Sequence, residues 1–223
     1  MIEKYYNGVI EQVAGGIGNV EHNSILVRYS NDFSIWDLES VNHYKDQTDI
    51  FFTCHEFSYN KIAEAYEPYL GLIRQMFHKY CSGTLEEFME ECDVYKLQRP
   101  VFESYFEKGF CERTEQILID EVEYEQERMR NSIVTMLQKL SEIRPVVIVL
   151  NRFQLASKST MQLSNSLLQV KNKNIGIVLG VNDVQSIPEF AHEEWDAICE
   201  SMDDRNMVYH IGNAGRNMEP DVM

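Results

Sequence analysis

Pro145-Val146-Val147-Ile148-Val149-Leu150-Asn151 is the stretch on which the fold turns. Its apolar run has no polar alternation, so a strand here has no face to offer to water and must be covered on both sides, as strands of parallel sheets are. A helical pattern follows around 158–170. Then comes a second buried strand, Asn174-Ile175-Gly176-Ile177-Val178-Leu179-Gly180-Val181. A helix near 190–203 and a short strand, Met207-Val208-Tyr209-His210-Ile211, close the series. Upstream, Ser24-Ile25-Leu26-Val27-Arg28-Tyr29 and Asp49-Ile50-Phe51-Phe52-Thr53-Cys54 read as two more strands. Apolar strands separated by helical segments specify an α/β fold. With right-handed crossovers, they predict a doubly wound, three-layer sandwich around a mainly parallel sheet of five strands.

The remaining segments read as helices. Residues 1–14 place Ile2, Tyr5, Tyr6, Val9, Ile10 and Val13 at helical spacing and stop at the breaker cluster Gly15-Gly16-Ile17-Gly18-Asn19. Residues 33–41 are helical in period after a turn at Ser30-Asn31-Asp32. A helix from Tyr59 to Tyr80 is split by Pro68, and residues 84–110 form shorter pieces interrupted at Pro100. In 112–143, the longest periodic segment, Leu118, Val122, Met129, Ile133, Met136, Leu137 and Leu140 share one face. Glu121, Glu123, Glu125 and Glu127 mark a solvated opposite face rather than a catalytic carboxylate pair. The chain is read as one domain over 1–212, with 213–223 as a polar tail or linker to further domains.

Charge narrows the function. Twenty Lys and Arg against 36 Asp and Glu leave a formal charge of −16. Nucleic-acid binding neutralises phosphates with basic side chains, so this balance argues against a DNA or RNA partner, and equally against an anionic membrane surface. The five cysteines form no CxxC pair and suit reduced thiols. No metal site is expected, because Cys54-His55 has no further ligands at metal spacing. The first residues lack the apolar core of a signal peptide, and no apolar run reaches the roughly 18 residues of a membrane helix. The expectation is a cytoplasmic protein.

Ligands of open parallel sheets bind at the carboxyl ends of the strands, so the positions of interest lie just after Tyr29, Thr53, Leu150 and Val181. After the Val146–Leu150 run comes Asn151-Arg152-Phe153-Gln154-Leu155-Ala156-Ser157-Lys158-Ser159-Thr160, then a helix carrying Met161, Leu163 and Leu167-Leu168. Here the chain resembles the STAND class of AAA-related P-loop NTPases: an apolar strand, a loop with Gln154 and Ala156, and a Leu-rich helix. The resemblance implies a P-loop-like strand order of 5-1-4-3-2. It also places Asn151 and Arg152 where the family has its Walker B acids, one holding magnesium and one polarising the attacking water. An amide lacks the charge the ion needs, and a guanidinium repels it. The Walker A loop is expected after the first strand. It reads Arg28-Tyr29-Ser30-Asn31-Asp32-Phe33-Ser34, with no glycine to open the backbone to phosphates, no lysine, and an anion at Asp32.

The degenerate nucleotide-site positions are therefore Arg28, Ser30, Asn31, Asp32, Ser34, Asn151, Arg152 and Gln154. The expected function is a non-hydrolysing, NTPase-like regulatory or sensory domain of a bacterial signalling protein. Similar modules precede GGDEF diguanylate cyclase domains or helical repeats. No cofactor is expected; the partner would be another protein or C-terminal domains of a longer chain. Two alternatives stand beside this reading. One is a nucleotide switch in which Ser30, Asn31 and Ser34 hold phosphates, with Arg28 as counter-charge and ATP/Mg as ligand. The other is an unrelated small-molecule-binding α/β module. Cys54-His55-Glu56 is not read as a nucleophile–base set, since neighbours on a strand point to opposite faces.

Overall fold

The computed structural model describes residues 2–19, 23–29, 49–61, 65–109, 122–182, 186–203 and 208–211. Among them, α1 (Ile2–Gly16), β1 (Ser24–Tyr29), β2 (Phe51–Glu56), α2 (Tyr69–Tyr80), α3 (Leu85–Glu91), α4 (Arg99–Lys108), α5 (Val122–Ile143), β3 (Val146–Asn151), α6 (Lys158–Val170), β4 (Ile175–Asn182), α7 (His192–Asp203) and β5 (Val208–Ile211) follow in chain order. They fall into two compact units. One is built from Met1–Ala65 with Arg144–Met223, the other from Tyr66–Ile143.

The first unit is α/β. Its sheet has β2, β3, β4 and β1 as successive neighbours, all parallel, and the four-residue β5 pairs parallel with the other side of β1. Every residue of β3 and β4 is buried, as their unbroken apolar runs require. Alternation then sorts side chains by face. Ile25, Val27 and Tyr29 of β1, Phe52 of β2, Val147 and Val149 of β3 and Val178 of β4 form one cluster with Val9, Ile10 and Val13 of α1. Arg28, of opposite parity, meets α7 instead: its guanidinium lies 5.7 Å from the Trp195 ring and 3.3 Å from Cys199 Sγ.

Docking of α1 depends on a missing side chain. A Cβ on Gly176 would stand 2.7 Å from Val13 Cγ1, 2.9 Å from the Asn23 carbonyl oxygen and 3.2 Å from Val147 Cγ2. That carbonyl is held in place, because it accepts from Ile177 N at 3.1 Å while the Asn23 amide donates to Asn172 O and Ile175 O. Gly18 closes the helix end in a left-handed conformation (φ 95°) and donates to Lys173 O at 2.7 Å.

The second unit is helical. Tyr69, Leu72, Ile73 and Met76 of α2 are buried, and α2 packs along α5, whose Ile133, Met136, Leu137 and Leu140 are also buried. Phe77 joins α2 to Phe88 of α3 and Phe106 of α4, with ring centroids 5.2 and 5.4 Å away. Local signals set the short helices. Thr84 and Glu87 form a reciprocal capping box at the start of α3, and Gly109 ends α4 at φ 82°.

Several boundaries differ from the sequence reading. β2 is shifted two residues onward and contains Cys54-His55-Glu56, while α1 runs through Gly15 to Gly16. Pro100 lies in the first turn of α4 rather than interrupting a helix, because the first-turn N–H groups have no intrahelical acceptor for a proline to lose. Residues 33–41 and 112–121, and the tail 213–223, lie outside the described residues.

Gly176→Ala is expected to lower stability by about 1–3 kcal/mol, since the contacted Asn23 oxygen is backbone and cannot rotate away. Urea unfolding checks this: the midpoint should fall with the slope unchanged.

Candidate functional site

Four strands end at the same edge of the sheet, each on a polar or phenolic residue: Tyr29, Glu56, Asn151 and Asn182. Asn151, on β3 beside the central β4, has no exposure to solvent. Its Oδ1 accepts from the Tyr29 hydroxyl at 3.1 Å and from Arg152 N at 2.9 Å. The Arg152 N–H can only donate, which fixes the amide orientation, and the Asn151 Nδ2 is buried with no hydrogen-bond partner among the described residues. Tyr29 and Asn151 share the α1 face of the sheet but belong to strands separated by β4, so the phenol reaches over β4 to make this bond.

Arg152 is held in the left-handed region (φ 51°, ψ 43°), uncommon for a residue with a Cβ. The Asn151 side chain secures this turn by taking the Arg152 N–H, and the Arg152 carbonyl accepts from Leu155 N at 2.9 Å. The guanidinium turns to the neighbouring strand end, with Nε 3.3 Å from Glu56 Oε1. Gln154 is buried; its Oε1 accepts from Asn182 N at 3.3 Å, which ties the loop after β3 to the end of β4. Next, Ser157 caps α6, its Oγ accepting from Thr160 N.

A second polar cluster lies where α6 and α7 begin. Glu194 is 7% exposed, and its Oε1 accepts from Gln162 Nε2 at 2.9 Å and from Lys158 Nζ at 3.1 Å. Its Oε2 is buried with no hydrogen-bond partner among the described residues. Burial pushes this carboxyl up. The Gln162 amide, the Lys158 ammonium and the residue's own backbone N–H outweigh that and hold its pKa below the ordinary value.

Of the residues singled out in the sequence, Asn151, Arg152 and Gln154 line one edge, within a single loop. Arg28 is not with them, because the odd–even alternation of β1 puts it on the opposite face, against Trp195 and Cys199. Ser30, Asn31, Asp32 and Ser34 lie outside the described residues. Sequence reasoning missed Tyr29, Glu56 and Asn182 as partners of that loop. Tyr29 and Asn182 end apolar strands, a position visible in the sequence although the pairing is not, and Glu56 lies beyond the Cys54 at which the sequence reading ended β2. Glu194 had no such signal, because its partners come from another helix. Among the described residues, no group of three or more His, Cys, Asp and Glu could hold a metal ion, and no helix is long and apolar enough to cross a membrane.

The chain matches no family model and no curated protein sequence.

Asn151→Ala should cost about 1–3 kcal/mol, because the Tyr29 hydroxyl and the Arg152 N–H lose their buried acceptor, and Tyr29→Phe about 0.5–1.5 kcal/mol. Chemical denaturation of both variants and their double mutant measures the coupling. The lowered Glu194 pKa gives a pH signature. Its contribution is fully present above the unfolded carboxyl pKa of about 4.3 and is lost as pH falls through the lower folded value. Glu194→Gln should therefore flatten the stability profile below about pH 4.3, read by denaturation at stepped pH.

Proposed function

We propose that the chain is a non-hydrolysing, NTPase-like regulatory or sensory domain of a bacterial signalling protein, working through protein–protein or intramolecular contacts. The observation that carries the reading is Asn151. At the strand end where an NTPase of this type keeps its magnesium-binding acid, a neutral amide is buried, and its oxygen is already shared between Tyr29 and Arg152. A magnesium ion needs anionic oxygen with a free lone pair facing outward, and this oxygen is spent inside the sheet. Arg152, at the next position, brings positive charge to the edge and balances it with Glu56.

The strand order supports the scaffold half of the reading. Taken from the β5 side, the hydrogen-bonded neighbours run 5-1-4-3-2, with β1 and β3 flanking β4 as an NTPase-like sheet requires. Helices on both faces, α1 on one and α7 on the other, agree with a doubly wound sandwich. On this reading the edge serves as a rigid platform, and signalling passes through surfaces of the domain rather than through turnover.

The test is thermal unfolding of the purified chain with ATP, ADP, GTP and cyclic dinucleotides, with and without magnesium. A ligand at a hundred times its dissociation constant stabilises by about 2.7 kcal/mol, several degrees at this size. No magnesium-dependent shift is expected. A shift of several degrees with ATP and magnesium would overturn the reading.

A further inference from the structure

Gln98 lies in the short connection between α3 and α4, yet it is buried, because both ends of its amide are engaged by α5. Its Nε2 donates to the Glu125 carbonyl at 3.2 Å, and its Oε1 accepts from Ser132 Oγ at 3.0 Å. These bonds fasten residues 93–98 along the first turns of α5. The side chains beside this fastening face outward. Leu97 is 63% exposed, Tyr95 40%, and Tyr124, adjacent to Glu125, 66%. The Arg128 guanidinium stacks on Tyr95 at 4.4 Å from the ring centroid and is neutralised by Glu125 at 2.8 Å.

Tyr124, Arg128, Asn131 and Thr135 follow one helical face by their spacing. Between that face and the 92–95 segment runs a groove of about 250 Å³, lined by Cys92, Asp93, Tyr95, Arg128, Asn131 and Thr135, with Ser132 at its floor. Burial pushes the Cys92 thiol up to about 12, which disfavours its thiolate. Single exposed apolar residues are ordinary. Three of them on segments bolted together beside a groove are the pattern of a contact surface.

Charge selects the occupant. Asp93 at the groove and Glu123 and Glu127 on α5 are exposed, against one exposed cation beside the anchors, Lys96; Arg128 is already paired, and the whole chain carries −16. The net negative charge disfavours an acidic partner and steers a basic one in. We propose that this face of the second unit docks a Lys/Arg-rich segment of a partner protein, anchored by apolar side chains against Tyr95, Leu97 and Tyr124. All the residues involved belong to the second unit, so the proposal stands or falls apart from the NTPase-like reading.

Fluorescence anisotropy of the full chain with two labelled synthetic amphipathic peptides, one of Leu and Arg and one of Leu and Glu, tests it. Saturable binding of the Leu/Arg peptide alone is expected, weakening as salt rises. The double variant Leu97→Ser, Tyr124→Ser should raise Kd at least about tenfold. Its unfolding midpoint should not change, since both side chains are exposed. Phe190→Ser, which removes an apolar side chain 62% exposed in the first unit, should leave Kd unchanged. Equal binding of both peptides, binding of neither, an unaltered Kd in the double variant, or an equal loss in Phe190→Ser would each overturn the proposal.

Discussion

The first unit depends on a pair of strands that have no solvent face. β3 and β4 are buried along their whole lengths, so their backbone groups must be paired in the ladder and both faces of the sheet must be covered by something apolar. From this follow the parallel pairing, the need for helices as crossovers and the placement of α1 on one face. The approach of α1 is limited by backbone rather than side chain: Gly176 of β4 lets Val13 and the Asn23 carbonyl come as near as they do. Asn23 is itself part of the fit, bonding through its amide to the chain on either side of β4's start.

Coverage from both sides leaves the ends of the strands as the place where polar groups collect. At the carboxyl edge this chain uses mostly neutral groups, and it uses them on one another. Tyr29, Asn151 and the Arg152 amide form one set, and Gln154 with the Asn182 amide another. The Asn151 amide carries no net charge, although its Nδ2 is buried without a hydrogen-bond partner among the described residues, whereas a carboxylate in the same place would have to be balanced by a cation. The left-handed Arg152 fits the same picture: its conformational cost is offset by the bond from its N–H to Asn151 and by the turn it closes.

The helical unit solves its packing differently. α2 and α5 bury matched apolar faces, and an aromatic cluster around Phe77 draws in α3 and α4. One polar residue, Gln98, fixes how the α3–α4 connection lies on α5, and so which side chains are left outside. Tyr95 and Leu97, on that connection, and Tyr124, next to Glu125, are left exposed.

Strand identity was written in the sequence, because burial on two faces demands consecutive apolar residues. Ser24–Tyr29 and the apolar runs of β3 and β4 are legible for that reason, and α6 for its Leu spacing. Asn151, Arg152 and Gln154 could be singled out because they follow the strongest strand directly. Their partners could not, since Tyr29 lies 122 residues from Asn151 and meets it only when β4 comes to lie between their strands. Parity, too, becomes informative only in the assembled sheet: Tyr29 and Arg28 are neighbours in sequence, yet one joins the edge network and the other packs on α7. The periodic face of α5 was visible, but whether it turned inward was settled only by α2 packing against it. Sequence by itself determined which segments must be buried, because burial is a property of local composition. Tertiary structure decided which buried and edge groups meet, because that depends on strand order and face, and no local pattern encodes either.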